Sequence, residues 1–493
     1  MKKEYNAACF FICVLFFVAT TNAQKQFNNW YFGNRAGVSF ASGSPVALSP
    51  GAMNQLEGCS SISDKNGNLL FYTDGINIWD KTHRVMPNGS GLMGDASSAT
   101  SAFIAPVIGS GTRFYVLTAD GYTCDETNGP LGSFDGLFYS IVDMSLPGNG
   151  YVSAPLGAVD TAYKNINLMD SVDERITAAI HSNGIDYWVI TKGYEEYGSG
   201  FCRYYAYLVT CSGIDTIPVI SNIACNSPLD CGLGFGLIKA SADGKCIINS
   251  SRISVLDFDN ATGILSNQRK IGDGNFSYGV EFSPNDSLIY VGSGYHPPNS
   301  LEIYQYERFA SDISSTQISF TISSSSIGAF QLAPDDNIYF VAGANCLGKI
   351  NNPNSKGNCT ISECAVGIPG PASNVIGLPN AYIHYWRQER DTHSCVAVVS
   401  NLPPYIPTSF TPNNDGLNDV LFVYYGGELP ITYHLKIYNR WGNLFFESKS
   451  PIETWDGKLN GVPVKEDVYV LQLNYSFEGG DEKNLNSTLL VAK

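Results

Sequence analysis

The sequence predicts an all-β protein, a six- or seven-bladed β-propeller followed by a small immunoglobulin-like β-sandwich. Three observations carry this prediction. First, no segment after residue 23 keeps a 3.6-residue apolar stripe for more than two turns. Second, one unit recurs six times, two short apolar runs joined by a turn rich in Asp, Asn, Gly and Pro, which is the pattern of a β-hairpin. The copies are SISDKNGNLLFY from Ser61, APVIGSGTRFYVL from Ala105, AAIHSNGIDYWVI from Ala178, IKASADGKCIIN from Ile238, EFSPNDSLIYVG from Glu281 and FQLAPDDNIYFVA from Phe330. Their turn centres at Asn66, Ser110, Asn183, Asp243, Asn285 and Asp335 lie 44, 73, 60, 42 and 50 residues apart. A period of about 40–50 residues with insertions is what four-stranded blades produce, because one hairpin buries a single face and needs neighbours to complete a core. Third, period-2 runs at 420–425, 433–438, 443–447 and 468–475 follow a proline-bearing break, as a small antiparallel sandwich requires.

Taken in order, Lys2 and Lys3 followed by the apolar run 7–19 and Thr21-Asn22-Ala23 read as a secretory signal peptide at 1–23. The propeller is expected over 24–390. Its first strand, within 28–40, is expected to complete the last blade, and 381–386 (AYIHYW) to end the region, so that closure removes free sheet edges. The stretch 391–407 (DTHSCVAVVSNLPPYIP) reads as a linker, since its prolines cannot join a central strand. The sandwich occupies 408–493.

Composition narrows the function classes. The chain of 493 residues is 44% hydrophobic and 15% charged, enough apolar material to exclude wholesale disorder. Losing Lys2, Lys3 and Glu4 with the leader takes 29 basic and 45 acidic residues to 27 and 44, and the net charge from −16 to −17. Phosphate backbones repel such a surface, so no nucleic-acid partner is expected. No later stretch reaches the ~20 apolar residues of a spanning helix, so no transmembrane segment is expected in the mature chain. Of 13 cysteines, Cys9 and Cys13 leave with the leader. Disulfides are expected in an exported chain, with local spacings at Cys202/Cys211, Cys225/Cys231 and Cys346/Cys359/Cys364 and an odd thiol over.

The last unit holds the most specific signal. It reads SFTPNNDGLNDVL from Ser409, LKIYNRWGNLFFES from Leu435 and TWDGKLNGVPVKEDVYVLQL from Thr454. These three motifs, in this order, resemble the gliding-motility-associated C-terminal domain, the type B sorting domain of the type IX secretion system. Phe410, Thr411, Pro412, Asn413, Asp415, Gly416, Asn418 and Asp419 match its opening motif. Tyr438, Asn439, Arg440, Trp441 and Gly442 match the second, and Trp455, Asp456 and Gly457 the third. Asn414 stands where the family has Gly, Glu466 and Asp467 where it has small residues, and the close NLNSTLLVAK departs from the usual final strand. The resemblance implies export through the type IX outer-membrane translocon to the cell surface or medium, with the C-terminal strand as docking edge. The Glu281 unit is similar to the repeats of WD40-like and lactonase-like propellers, which implies a fold and no activity.

Read from the residues, Asn413, Asp415, Asn418 and Asp419 put four oxygen-bearing side chains around Gly416. An Asx-turn without metal is expected, with calcium as the alternative, since the EF-hand spacing and its terminal Glu are missing. No other cofactor is expected. Arg440 is expected to lie over the sandwich face rather than stack on an indole.

Catalytic patterns are missing: there is no HExxH, GxSxG or Walker loop. CGLGFGL, with Gly232, Gly234 and Gly236, lacks the dinucleotide spacing and reads as a buried strand with close backbone approach. His83, His181, His296, His384, His393 and His434 share no ligand spacing and are expected in turns or at the surface. The pairs Asp173–Glu174, Glu195–Glu196 and Asp335–Asp336 are expected in solvated loops. In the tyrosine-rich stretch from Gly193 to Tyr207, Tyr204 to Tyr207 are expected in a strand core, leaving Tyr194 and Tyr197 as the candidate ligand contact. The expectation is a non-enzymatic, adhesion-type surface protein binding a glycan or protein, the alternative being a secreted lactonase-like or carbohydrate-active hydrolase. Convergent carboxylates with raised pKa would favour the hydrolase, and a wide aromatic face the binder.

Overall fold

The computed structural model describes residues 25–492 apart from 49, 122–135, 194–199, 225–235, 273–276, 294–300, 344, 369–375, 383, 386–403, 405, 414–417, 424–429, 452 and 477–481. The signal peptide, most of the linker, Tyr194, Tyr197, Glu195, Glu196, Gly232, Gly234, His296, His393, Asp415 and Gly416 therefore lie outside the described residues. The chain divides into two compact units, Met1–His393 and Ser394–Lys493.

The first unit is a succession of small antiparallel meander sheets of propeller type. Strands Ser60–Ser63, Ala102–Pro106, Val172–Ile180, Ile238–Ala240, Val280–Phe282 and Ile327–Leu332 each open a sheet of four or five strands. All six sequence-predicted hairpin turns join the first and second strands of these sheets. The turn chemistry explains why. Asp64 Oδ1 accepts from the amides of Asn66 and Asn68 at 2.8 and 2.9 Å, and Asp286 and Asp336 hold the left-handed backbone (φ 60° and 58°) that Asp tolerates better than most residues. Inner strands such as Leu288–Gly292 and Ile338–Ala342 are buried at every position, whereas the outermost Ile264–Lys270 is largely exposed. A strand covered on both faces by neighbouring sheets must be apolar throughout.

The opening strand departs from expectation. Asn29–Phe32 pairs with Ala36–Ser39, and that with Val46–Ala47, making a separate three-stranded sheet. The last sheet takes its four strands from its own segment, ending with Thr360–Gly367. Gly33 and Arg35, both at positive φ (55° and 62°), turn the chain straight back, so the first strand finds its partner locally. The first sheet instead packs on the last, where Trp30 and Phe40 meet Tyr339 at ring-centroid distances of 6.1 and 5.3 Å. A second tie comes from the end of the unit. The amides of Ile376 and Asn380 donate to Leu56 O and Cys59 O at 3.0 and 2.8 Å, and Ala329 N donates to Ile376 O at 2.7 Å.

Neighbouring sheets are joined through their turns. The Asp286 carboxylate accepts from the amides of Ala242 and Asp243 at 2.9 and 2.8 Å in the preceding sheet. The Arg308 guanidinium holds both oxygens of Asp243 at 2.9 Å. Cys346 and Cys364 form a disulfide, and Cys59, Cys246 and Cys359 are buried free thiols; Cys202 and Cys211 are each disulfide-bonded as well, but not to each other as their spacing suggested, since the extended strand Phe201–Thr210 holds them apart.

The second unit is a five-stranded sheet in the order Ser409–Phe410, Lys483–Val491, Asp467–Ser476, Thr432–Tyr438, Leu444–Ser448, with a two-stranded hairpin of Lys458–Leu459 and Val462–Pro463 beside it. Along Asp467–Ser476, Tyr469, Leu471, Leu473 and Tyr475 are buried and Val468 and Val470 exposed, the alternation of a sheet with one covered face. The run 420–425 does not form a strand as expected: among its described residues, Leu421 bridges Trp455 and Val423 is buried, so the segment covers the sheet rather than extending it. The core of this unit draws wholly on residues between Ile406 and Val491.

Candidate functional site

The sorting motifs divide into those that build the C-terminal unit and those that it displays. Phe410 and Trp455 are buried with rings 5.5 Å apart, and Trp455 also meets Phe446 at 6.0 Å and Tyr469 at 5.7 Å. A Cβ on Gly457 would stand 2.7 Å from Pro412 Cγ, and its φ of 72° suits glycine, so Pro412 and Gly457 need each other's shape. Trp455 Nε1 donates to Lys458 O at 3.0 Å, and Asp456 closes the turn by accepting from Lys458 N at 3.1 Å. The first and third motifs thus form one packed corner.

The second motif makes the turn between Thr432–Tyr438 and Leu444–Ser448. Asn439 Oδ1 accepts from the amides of Trp441 and Asn443, both at 2.9 Å, and Gly442 takes φ 80°. Arg440, in the turn, pairs with Asp467 at the start of the neighbouring strand. Trp441 is 81% exposed. The turn presents this indole to water, and Leu444, Val468, Val470 and Leu490 of the same unit are exposed as well.

In the opening motif, Thr411 N donates to Asn418 O at 2.9 Å, Asn413 N donates to Thr411 O at 2.8 Å, and Asn418 is left-handed at φ 55°. Among the described residues, no group of three or more His, Cys, Asp or Glu is placed to hold a metal ion; Asp415 lies outside them. The final strand Lys483–Val491 pairs along its whole length with Asp467–Ser476 and at Leu490 and Val491 with Ser409–Phe410.

The first unit gathers polar groups that the sequence does not announce. Since the six turns lie at one end of the meander sheets, the connections into the first strands lie at the other. There Glu57 accepts from Tyr278 Oη at 2.9 Å. Burial pushes the Glu57 carboxyl up from 4.5 to about 7; the Tyr278 hydrogen bond opposes this and Asp95 adds to it. Burial, with Glu57 and Glu174, drives the Tyr278 hydroxyl well above its usual value. Glu174 Oε2 accepts from Ala99 N at 2.9 Å.

Asp173 and Glu174 were expected in a solvated loop, yet both are buried in the strand Val172–Ile180. Asp173 Oδ2 lies 3.0 Å from Arg175 Nη2 and 3.1 Å from Lys192 Nζ, and Arg175 Nη1 donates to Asn249 Oδ1 at 2.7 Å. Pairing with two cations makes burial of the carboxylate tolerable. His384 is likewise buried rather than at the surface, packed 6.0 Å from Tyr382 behind the residues that tie the ring closed. His83, by contrast, sits in a turn at φ 65° with Nδ1 3.0 Å from Tyr72 Oη, and His434 pairs with Glu447. Asp335 and Asp336 lie in a turn as expected, but only Asp336 is solvated there: the Asp335 carboxylate is largely covered, accepting from Tyr339 Oη at 2.8 Å and lying 3.4 Å from Lys349 Nζ. Tyr204 and Tyr207 are core residues of the strand Phe201–Thr210, as expected.

Among the described residues, no helix is long and apolar enough to cross a membrane. No curated protein matches the chain. Among solved structures, it is similar to puromycin hydrolase (11% identity, TM-score 0.41, covering 71% of this chain and 55% of that one). It is also similar to hydrazine synthase of Kuenenia stuttgartiensis (12%, 0.33, 68% and 79%) and to the extracellular domain of a hybrid two-component system from B. thetaiotaomicron (12%, 0.35, 95% and 56%). The chain thus spans about half the length of the first and third of these. The family model of the CHU_C type IX secretion signal domain matches residues 405–490, the segment that holds all three motifs. Residues 405–490 are a type IX secretion signal domain, and the chain is exported to the cell surface or the extracellular space.

Proposed function

We propose that the chain is a surface or secreted binding protein: a leader (1–23), a propeller (24–390), a linker (391–407) and a sorting domain (408–493). The propeller is read as seven-bladed, its first blade being the three-stranded sheet of Asn29–Phe32, Ala36–Ser39 and Val46–Ala47. Its cargo role is the binding of a glycan or protein at the cell surface, in adhesion or gliding. The observation that carries the reading is the secretion signal domain at 405–490, which fixes where the first unit works. The polar ring end around Glu57 and Tyr278 supports a ligand site there.

A specific observation also favours a second reading. Glu57, with its carboxyl near 7 and with Glu174 and Tyr278 close by, has the properties of a general acid or base, which suits a secreted propeller hydrolase. A panel of polysaccharides tested for both binding and turnover separates the two. Binding without product is the expected result, and product formation would overturn it. Export is tested separately: deletion of 408–493 is expected to leave the protein in the periplasm, and undiminished surface display would overturn the assignment.

A further inference from the structure

The five-stranded sheet of the second unit has one face on the core and one face open, and the open face has two unlike ends. Cross-strand register sets its rows. At one end His434 stands opposite Asn474 and Asn474 opposite Asn484, and in the next row Lys436 stands opposite Gln472 and Gln472 opposite Asn486. Both rows are polar, as an open sheet face asks. The following rows are not. Leu444 stands opposite Tyr438, Tyr438 opposite Val470, and Val468 opposite Leu490. Leu444, Val468, Val470 and Leu490 are each exposed to more than two-fifths of their surface, and Trp441, in the turn between Tyr438 and Leu444, to 81%. Residues of alternate strand positions share a face, so the aliphatic side chains form one patch across four strands. Scattered exposed aliphatics need no explanation, whereas a contiguous group at one end of an otherwise polar face does.

Three observations say what covers it. The patch lies wholly within residues 405–490, the segment that matches the secretion signal domain, and Trp441 belongs to the second of its motifs. The edge of the last strand is already taken at this end, where Leu490 and Val491 pair with Ser409–Phe410, so the face is what remains to meet a partner. The five side chains offer on the order of 500 Å², the size of a functional patch on a monomer and short of the ~800 Å² per partner of a stable dimer. A contact that must be released after export fits that size; a permanent second copy does not. At the margin of the patch Arg440 is paired with Asp467, which leaves no free cation there for an anionic membrane and no net charge to steer a charged partner. We infer that this apolar end of the open face is the surface by which the type IX outer-membrane translocon holds the signal domain, against an apolar and uncharged receiving surface. The inference rests on the assignment of 405–490 as the export signal and names the face through which that signal is read.

The test expresses the full chain with Val468→Thr, Val470→Thr and Leu490→Thr together in cells with a working type IX translocon and measures surface display by proteolysis. Thr suits an exposed strand position, so the thermal unfolding midpoint of the purified variant is expected to match that of the parent. Display is expected to fall at least about fivefold, with folded protein accumulating in the periplasm. Val470→Ile, which keeps the apolar surface, is expected to display as the parent does, and so is the pair Gln472→Thr and Asn486→Thr at the polar end of the same face. Trp441→Ala, at a turn that Asn439 and Gly442 hold, is expected to lower display as well, and carries the test should the triple variant unfold early. Undiminished display of the folded triple variant, or an equal loss in the polar-end pair, would overturn the inference and leave the export route standing, since deletion of 408–493 tests that route separately. A dimer of the purified chain that the triple variant abolishes in sedimentation would give the patch to a second copy. Binding to phosphatidylethanolamine and phosphatidylglycerol vesicles that the same variant abolishes would give it to the membrane, and either result would overturn the inference too.

Discussion

Glu57 and Trp441 show how two residues can stand outside what the fold requires. The folded protein holds the Glu57 carboxyl at about 7 against an ordinary 4.5, so the native state binds the proton more tightly than the unfolded chain. Its contribution to stability is therefore full below about pH 4.5, declines as pH rises, and is gone above 7, a loss of about 3 kcal/mol at most. Urea unfolding from pH 5 to pH 8 is expected to show that decline in the parent chain, and a shallower one in Glu57→Gln; parallel curves would contradict the assignment. Trp441, exposed at a turn whose geometry Asn439 and Gly442 hold, predicts the converse. Trp441→Ala is expected to change stability by less than about 0.5 kcal/mol and to lower surface display, whereas Trp455→Ala is expected to cost about 3–5 kcal/mol through the cavity it leaves. Neither role is written in residue type, since both tryptophans sit in motifs of equal sequence strength, and packing alone separates them.

Elements were legible where local chemistry decides them. The six turns were readable because Asp, Asn and Gly favour the positive φ and side-chain-to-amide hydrogen bonds that a hairpin needs, at Asp64, Asp286 and Asp336 above all. The opening strand was misjudged because partner choice is a matter of the next turn, at Gly33 and Arg35, and not of the strand's own pattern. The buried pair Asp173–Glu174 was misjudged because its compensating charges come from Lys192 on the next strand as well as from Arg175 nearby. Glu57 and Tyr278 come from two separate connections and Glu174 from the strand Val172–Ile180, and no sequence spacing records that they gather at one end. The links between sheets make their own prediction. Asp286→Ala removes both acceptors of the Ala242 and Asp243 amides and leaves Arg308 one carboxylate fewer, so thermal unfolding is expected to show a loss of about 1–3 kcal/mol; an unchanged midpoint would mean that the turns do not join the sheets.

At the scale of the whole molecule, the chain divides into two compact units. The larger unit stacks small sheets so that each covers the next, and leaves polar connections at one end. The smaller unit buries Phe410, Trp455, Tyr469 and Leu471 in a core of its own and carries the motifs of a secretion signal at 405–490. The order of the three motifs in sequence made this unit readable, because its first and third motifs pack against each other and its second makes one tight turn. The most direct test of the account is the location of an unrelated periplasmic protein carrying residues 394–493 at its C-terminus, measured by surface proteolysis in cells with and without a working type IX translocon. Display that depends on the translocon is the predicted result; a passenger that stays in the periplasm of translocon-competent cells would contradict it.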